Sequence, residues 1–448
     1  MKRFLLFFAG ALLLMASCKK KDYTVVVHDP ALYRETVKKL NDIVLENGFP
    51  PMIASRNYVY ANIAAYEVIA AGDSGQYRSL AWQIRHLKPV PAPKTGNVDF
   101  HLASLLAFSK VGNAVTFPEG SMDEYVESLK EKASQAGMPS EVLESSVEYA
   151  DQVADHILAW SKGDNYAQTR SASKFTVLNE DGRWIPTPPM YAQALEPHWC
   201  KIRPMVLDSA AQITAPAPVP FNMKDINGQF YKNAMEVKLI GDSLTDEQKH
   251  IADFWDDNPF KLNVSGHVMF ATKKFSPGGH WMNIVGIATK NQKQDFNSTV
   301  SLYTEASIAL FDSFINCWFV KFQTNYVRPE TVINKFLTQD WKPYIQTPPF
   351  PEYISGHAAI SAAVAEVLTR KFGDNVAFRD SSQMEFGIKP RSFKSFHEAA
   401  REAGMSRVFG GIHYVASCEQ GSLNGKQVGE IVANKLQLKK QASLQANR

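Results

Sequence analysis

The sequence is short of several things, and each shortage excludes something. It has four cysteines in 448 residues, and Cys200, Cys317 and Cys418 lie far apart. That excludes a disulfide-built scaffold and a cysteine metal knuckle. One bridge is compatible with an oxidising compartment, but buried free thiols are the expectation. Charge of one sign is also scarce. Lys and Arg total 48 against 45 Asp and Glu, a net of +3, which argues against a nucleic-acid partner and a broadly basic membrane face. After the N-terminal leader no apolar run is long enough to cross a bilayer. Alternating strand patterns are almost missing, "YTVVVH" (23–28) being the main exception. There is no internal repeat at solenoid period.

The N-terminus is informative. "MKRF" is a positive start, "LLFFAGALLLMA" an apolar core, and Ser17–Cys18 follow. This reads as a signal peptide over 1–17 and a polar tether over 18–30. A Cys after small residues resembles the lipobox of bacterial lipoproteins, despite Met15. The expected location is therefore exported, periplasmic or outer-membrane associated, with the membrane reached only through a lipid on Cys18.

Apolar residues recur at three-and-four spacing over 31–46, 122–136, 140–162, 245–256 and 297–326. An Ala-rich run from Ser355 to Phe372 ends at Gly373, a natural helix stop. The expected fold is all-α, with two four-helix-bundle-like units and the chemistry in the C-terminal one. The N-terminal bundle spans 31–203, a Pro-rich connection 204–222, and the C-terminal helical region 223–448. Within the first, 165–203 reads as a long structured loop.

Three clusters in the last third carry chemistry. In "WFVKFQTNYVRPE" (318–330), Lys321 and Arg328 are seven residues apart. On one helix they would project to nearly the same side, with Trp318 a turn earlier and Pro329 as terminator. Buried cations on one stripe repel each other unless they share an anion. In "PPFPEYISGHAAIS", Ser355-Gly356-His357 open a helix whose free N–H groups can cradle an oxyanion. In "SRVFGGIHYVAS" (406–417), Gly410-Gly411 permit a break that turns Arg407 and His413 toward one point. Singly, each cluster also has a bland explanation: a solvated face, an N-cap serine, a satisfied core histidine.

In this order and spacing, Lys321 to Arg328-Pro329, Ser355-Gly356-His357 and Ser406-Arg407 to His413 resemble the signature shared by type 2 phosphatidic acid phosphatases and vanadium-dependent haloperoxidases. "FWDDNPF" (254–260), "SPGGHWMNIVG" (276–286) and "NYVYANIAAYEVIAAG" (57–72) resemble segments of the bacterial haloperoxidase branch, as does the chain's length. That resemblance implies vanadate as cofactor, coordinated by His413. Lys321, Arg328, Ser355, Gly356 and Arg407 would hold its oxygens, with Trp318 and Phe350 beside it. His357 would manage protons and Lys321 would polarise the oxidant. The partners implied are hydrogen peroxide and a halide, iodide before bromide. An acid phosphatase with His413 as nucleophile is the alternative, and a non-catalytic oxyanion-binding lipoprotein a second.

Two departures stand out. Ile354 replaces a Pro, and Ser417 stands four residues after His413, where the family usually carries an Asp. Loss of that carboxylate favours metal coordination over a nucleophilic histidine, because a carbonyl can also fix the tautomer. His280 and Trp281 are candidates for the site entrance. Asp256 and Asp257 are candidates for supporting contacts or helix caps, and His397 for a structural role.

Overall fold

The computed structural model describes residues 22–440 apart from 260, 266 and 267. The leader and the lipid expected on Cys18 lie outside the described residues. Within them the chain is helical, with two short antiparallel hairpins, Lys261–Ser265 with Val268–Thr272 and Phe378–Asp380 with Arg391–Phe393. Strands this short carry too few residues to show an alternating pattern, which is why the sequence does not announce them. No described helix is long and apolar enough to cross a membrane.

The organising element is one long helix, Phe296–Thr324. Asp295 starts it by accepting the Ser298 N–H at 2.7 Å. The helix is buried nearly all round, so it has a partner on every side. On one side it packs against Pro51–Gly72, which in turn contacts Phe100–Val115 and Ser140–Ser161. On the other it meets Gly356–Phe372 and Val415–Lys435. It is thus a shared wall between two bundles. Midway, the buried Asp312 accepts the N–H groups of Met205, Val206 and Leu207 at 2.7–2.9 Å, pinning the start of the Pro-rich connection.

Two sequence expectations fail here, each for a physical reason. Thr24–Val27 is a helical turn, not a strand. Among the described residues no neighbouring strand takes its backbone groups, and Asp22 Oδ1 accepts the Thr24 N–H to start a turn. Lys321 and Arg328 do not share one helix either. The long helix stops at Thr324, Asn325 takes the left-handed conformation (φ 48°), and Arg328 caps the next helix, Pro329–Phe336. Asn tolerates that conformation, and Pro is suited to a first helical turn, so Pro329 begins a helix here instead of ending one.

Gly356–Phe372 and Val415–Lys435 approach closely. A Cβ on Gly425 would sit 1.8 Å from the Ala359 carbonyl oxygen, so only glycine allows this contact. It brings the two signature segments together, and the Ser355 N–H donates to the Ser417 carbonyl at 3.1 Å.

Candidate active site

The three clusters converge on one cavity of about 330 Å³, whose lining includes Trp318, Phe350, Gly356, His357, Arg407 and His413. The strap 348–354 crosses between the long helix and the His357 helix and sets the geometry. Lys321 Nζ donates to the Pro351 and Glu352 carbonyls, both at 2.9 Å. Arg328 Nε donates to the Phe350 carbonyl at 3.0 Å and Nη1 to the Ile412 carbonyl at 2.9 Å. Both cations are fully buried, so burial pushes Lys321 down to about 7 and Arg328 down to about 10. The Phe350 ring lies 5.2 Å from Lys321 Nζ and 5.1 Å from the Arg328 guanidinium, with Trp318 packed beside it at 4.9 Å. An aromatic face offsets part of each cation's lost hydration.

His413 follows the break foreseen at the glycines. Gly410 ends Phe396–Phe409 in ordinary helical geometry, and Gly411 turns the chain at φ 77°. His413 Nδ1 lies 2.7 Å from Glu352 Oε1, while Nε2 lies 3.1 Å from Arg328 Nη1. A carboxylate can only accept and a guanidinium can only donate, so the proton sits on Nδ1 and Nε2 presents its lone pair. Burial, then Arg328, Lys321 and Arg407, hold the imidazole neutral by pushing its pKa well below the usual value.

Glu352 is the functional residue the sequence reading missed. It also accepts the Tyr414 N–H at 3.1 Å, and burial raises its carboxyl to about 7. The carboxylate expected at position 417 is therefore supplied from the strap, with Ser417 adjoining it. His413 therefore has an orienting acid after all, carried on a different segment from the one expected. The only signal was an acidic residue in "PFPEYISGH", five before His357, and nothing local connects it to a histidine 61 residues away.

Ser355 caps the His357 helix, its Oγ accepting the Ala358 N–H at 3.5 Å. Gly356 leaves room beside Trp318 and Lys321. His357 is 19% exposed at the cavity wall, and its Nε2 has no hydrogen-bond partner. Burial, then Arg407 and His280, keep it neutral. Arg407 is anchored through Nε to Ser406 Oγ at 3.0 Å and through Nη2 to the Trp255 carbonyl. Burial lowers its pKa, with Asp256 and Asp257 opposing.

His280 is not at the entrance. It is fully enclosed, 3.0 Å from Asp257 Oδ1 and 2.8 Å from Asp380 Oδ2, and stacks on Trp255 at 4.6 Å. Burial opposes its charge, but the two carboxylates outweigh it and raise its pKa to about 10. Asp257 places Oδ2 3.9 Å from His357 Nε2, so this triad backs the cavity wall. Trp281 is core, bonded to Ser361 at 2.7 Å. His397, half-buried, lies 3.5 Å from Glu366 and away from the cavity lining. The three later cysteines are free thiols.

What the cradle accepts follows from its leftover atoms. Arg328 Nη2 and His357 Nε2 are buried with no partner, a state that costs free energy unless a ligand completes it. Three buried cations, a helix N-terminus and a histidine lone pair suit a tetrahedral oxyanion able to take a nitrogen ligand. The class is therefore an oxyanion-dependent helical-bundle enzyme, and vanadate fits the donor set.

Known proteins narrow this further. A sequence profile for the VCPO second helical-bundle domain matches residues 335–441. The crystal structure described as the first bacterial vanadium-dependent iodoperoxidase is 42% identical, with a TM-score of 0.86 over 92% of this chain and 97% of its own. Holo- and apo-type bacterial vanadium-dependent chloroperoxidases, each 17% identical, share the fold with TM-scores of 0.64 and 0.65. They cover 86% and 87% of this chain and 92% and 94% of theirs. No curated relative matches the chain. The chain belongs to the vanadium-dependent haloperoxidases. It is an all-α peroxidase with vanadate as its cofactor, acting on hydrogen peroxide and halide.

Proposed function

We propose that this haloperoxidase oxidises iodide, with bromide a poorer substrate, and that the nine residues of the signature and its aromatic wall do the work. Support for iodide comes from the 42% identical iodoperoxidase. The observation that carries the site is a His413 Nε2 lone pair facing an unpartnered Arg328 donor and an unpartnered His357 nitrogen. Bound vanadate supplies a Lewis acid that activates peroxide for attack by halide.

The protein's part is holding charge and moving a proton. His413 Nε2 is the nitrogen ligand, kept in one tautomer by Glu352. Arg328, Arg407 and Lys321 would balance the oxyanion's charge, and Ser355 and the Gly356 N–H would hold its oxygens. His357, neutral at rest, takes the peroxide proton on Nε2, and Asp257 behind it steadies the imidazolium. Lys321, recharged beside an anion, polarises the oxidant. Trp318 and Phe350, with prolines 348 and 349, keep the wall apolar and limit water.

The test is vanadate titration into metal-free protein with iodide and peroxide present. Oxidation should rise with vanadate to one equivalent. A protein that instead cleaves a chromogenic phosphate ester without vanadate, and is inhibited by it, would return the phosphatase reading. Export and lipid attachment are proposed on the leader and Cys18. Cell fractionation of Cys18→Ser, expected to move from membrane to soluble periplasm, tests that.

A further inference from the structure

A second cluster lies at the other end of the molecule. His28 ends the turn Thr24–Val27, Asp99 caps the helix Phe100–Val115, and His101 is that helix's second residue. One ligand atom from each lies within 4.8 Å of the others. His28 Nε2 is 2.8 Å from Asp99 Oδ2, with side-chain exposures of 34% and 5%. The two imidazoles stack at 3.8 Å, tilted by 27°. A cavity of about 320 Å³ opens on all three residues. Asn297 lines the same cavity, with its side chain within reach of the His101 ring.

The stacked rings each bring a nitrogen within reach of the Asp99 carboxylate, so a cation placed among them would meet all three ligand atoms at once. Two nitrogens and one carboxylate, with an amide oxygen alongside, match the preference of a borderline divalent ion such as Zn²⁺. Ca²⁺ and Mg²⁺ favour all-oxygen sets.

We propose that His28, Asp99 and His101 form a structural divalent transition-metal site, of the Zn²⁺ type, that staples the N-terminal arm to the bundle. The metal sits among the three ligand atoms, and Asn297 Oδ1 or water completes the shell. Asn297 and Lys321 sit at opposite ends of the long helix, roughly 36 Å apart by its rise per residue. The site therefore ties down the arm and takes no part in halide oxidation.

The experiment uses untagged, vanadate-loaded full chain freed of other metals. Calorimetric titration with Zn²⁺ should show one equivalent bound and a raised Tm. Co²⁺ should give visible absorption characteristic of a four-coordinate nitrogen–oxygen site. His28→Gln and His101→Gln, milder than changing the Asp99 cap, should each weaken Zn²⁺ binding at least tenfold. Both should abolish the Tm rise and leave halide oxidation unchanged. Absence of a one-equivalent phase in the parent, or undiminished affinity in the double variant, overturns the proposal. The second result would identify only adventitious binding elsewhere.

Discussion

Two buried arginines, one in each bundle, live under opposite rules. Arg56 donates through Nε to Asp164 Oδ2 at 2.7 Å and lies against the rings of Tyr60 and Tyr166. Asp164 also accepts the Tyr60 hydroxyl at 2.9 Å and the Tyr166 N–H at 2.8 Å. That charge is met within the protein. Arg328 donates hydrogen bonds only to carbonyl oxygens and a neutral histidine, has Lys321 as a like-charged neighbour with Glu352 and Glu330 near but not bonded to it, and keeps Nη2 unpartnered. The histidines divide the same way: His280 is held between two carboxylates, whereas His357 Nε2 has no partner. A buried charge satisfied by side chains stabilises the fold. One left unsatisfied marks where a ligand belongs.

The largest expected effect breaks the cradle at its nitrogen. His413→Ala should lower vanadate-dependent halide oxidation by about 10³-fold or more while circular dichroism stays unchanged. Activity within tenfold of the parent would remove His413 from the proposed role.

Next comes the pair of arginines. Asp164→Ala strands a buried Arg56 and should destabilise the protein by about 3–5 kcal/mol, read by urea unfolding, with vanadate affinity per folded molecule unaltered. Arg328→Ala should do the reverse, weakening vanadate about 10- to 100-fold and leaving stability level or slightly higher. If both variants lose stability alike, the distinction fails.

Glu352→Gln sharpens the comparison. Its amide oxygen can still accept from His413 Nδ1, so vanadate affinity should fall only about tenfold, whereas Glu352→Ala should fall further. Equal losses would mean that the carboxylate's charge, and not its orientation of the ring, is what matters.

The smallest effect is a slope with pH. In the ligand-free site Lys321 is depressed to about 7, and a bound anion favours its charged form. Vanadate binding should therefore take up a proton above pH 7, and affinity should fall as pH rises through that range. Below pH 7 the lysine is already charged and this contribution is flat. Lys321→Arg, which stays charged, should remove that part of the slope. Comparing the two proteins cancels vanadate's own titration.

Much of this was legible in the chain. The helices at 31–46, 123–135 and 140–161 announce themselves because an amphipathic period is a local property. The proposed oxyanion residues were legible through the resemblance of three ordered motifs to a family signature, although the helix assumed for Lys321 and Arg328 breaks at Asn325. Glu352 stayed hidden because its partner is remote in sequence. His280 looked like an entrance residue because nothing in "PGGHWM" reveals the two aspartates that enclose it.

The sequence by itself determined the all-α character and the bend at Gly410-Gly411, since each depends on periodicity or backbone freedom within a short window, while the proposed anion-holding residues came from the resemblance of three ordered motifs to a known signature. Tertiary structure alone decided which carboxylate faces which histidine. The strap carries Glu352 to His413, whereas Asp257 and Asp380 close on His280. Those pairings arise from packing across the long helix, where burial makes an unmatched charge costly and a matched one inert.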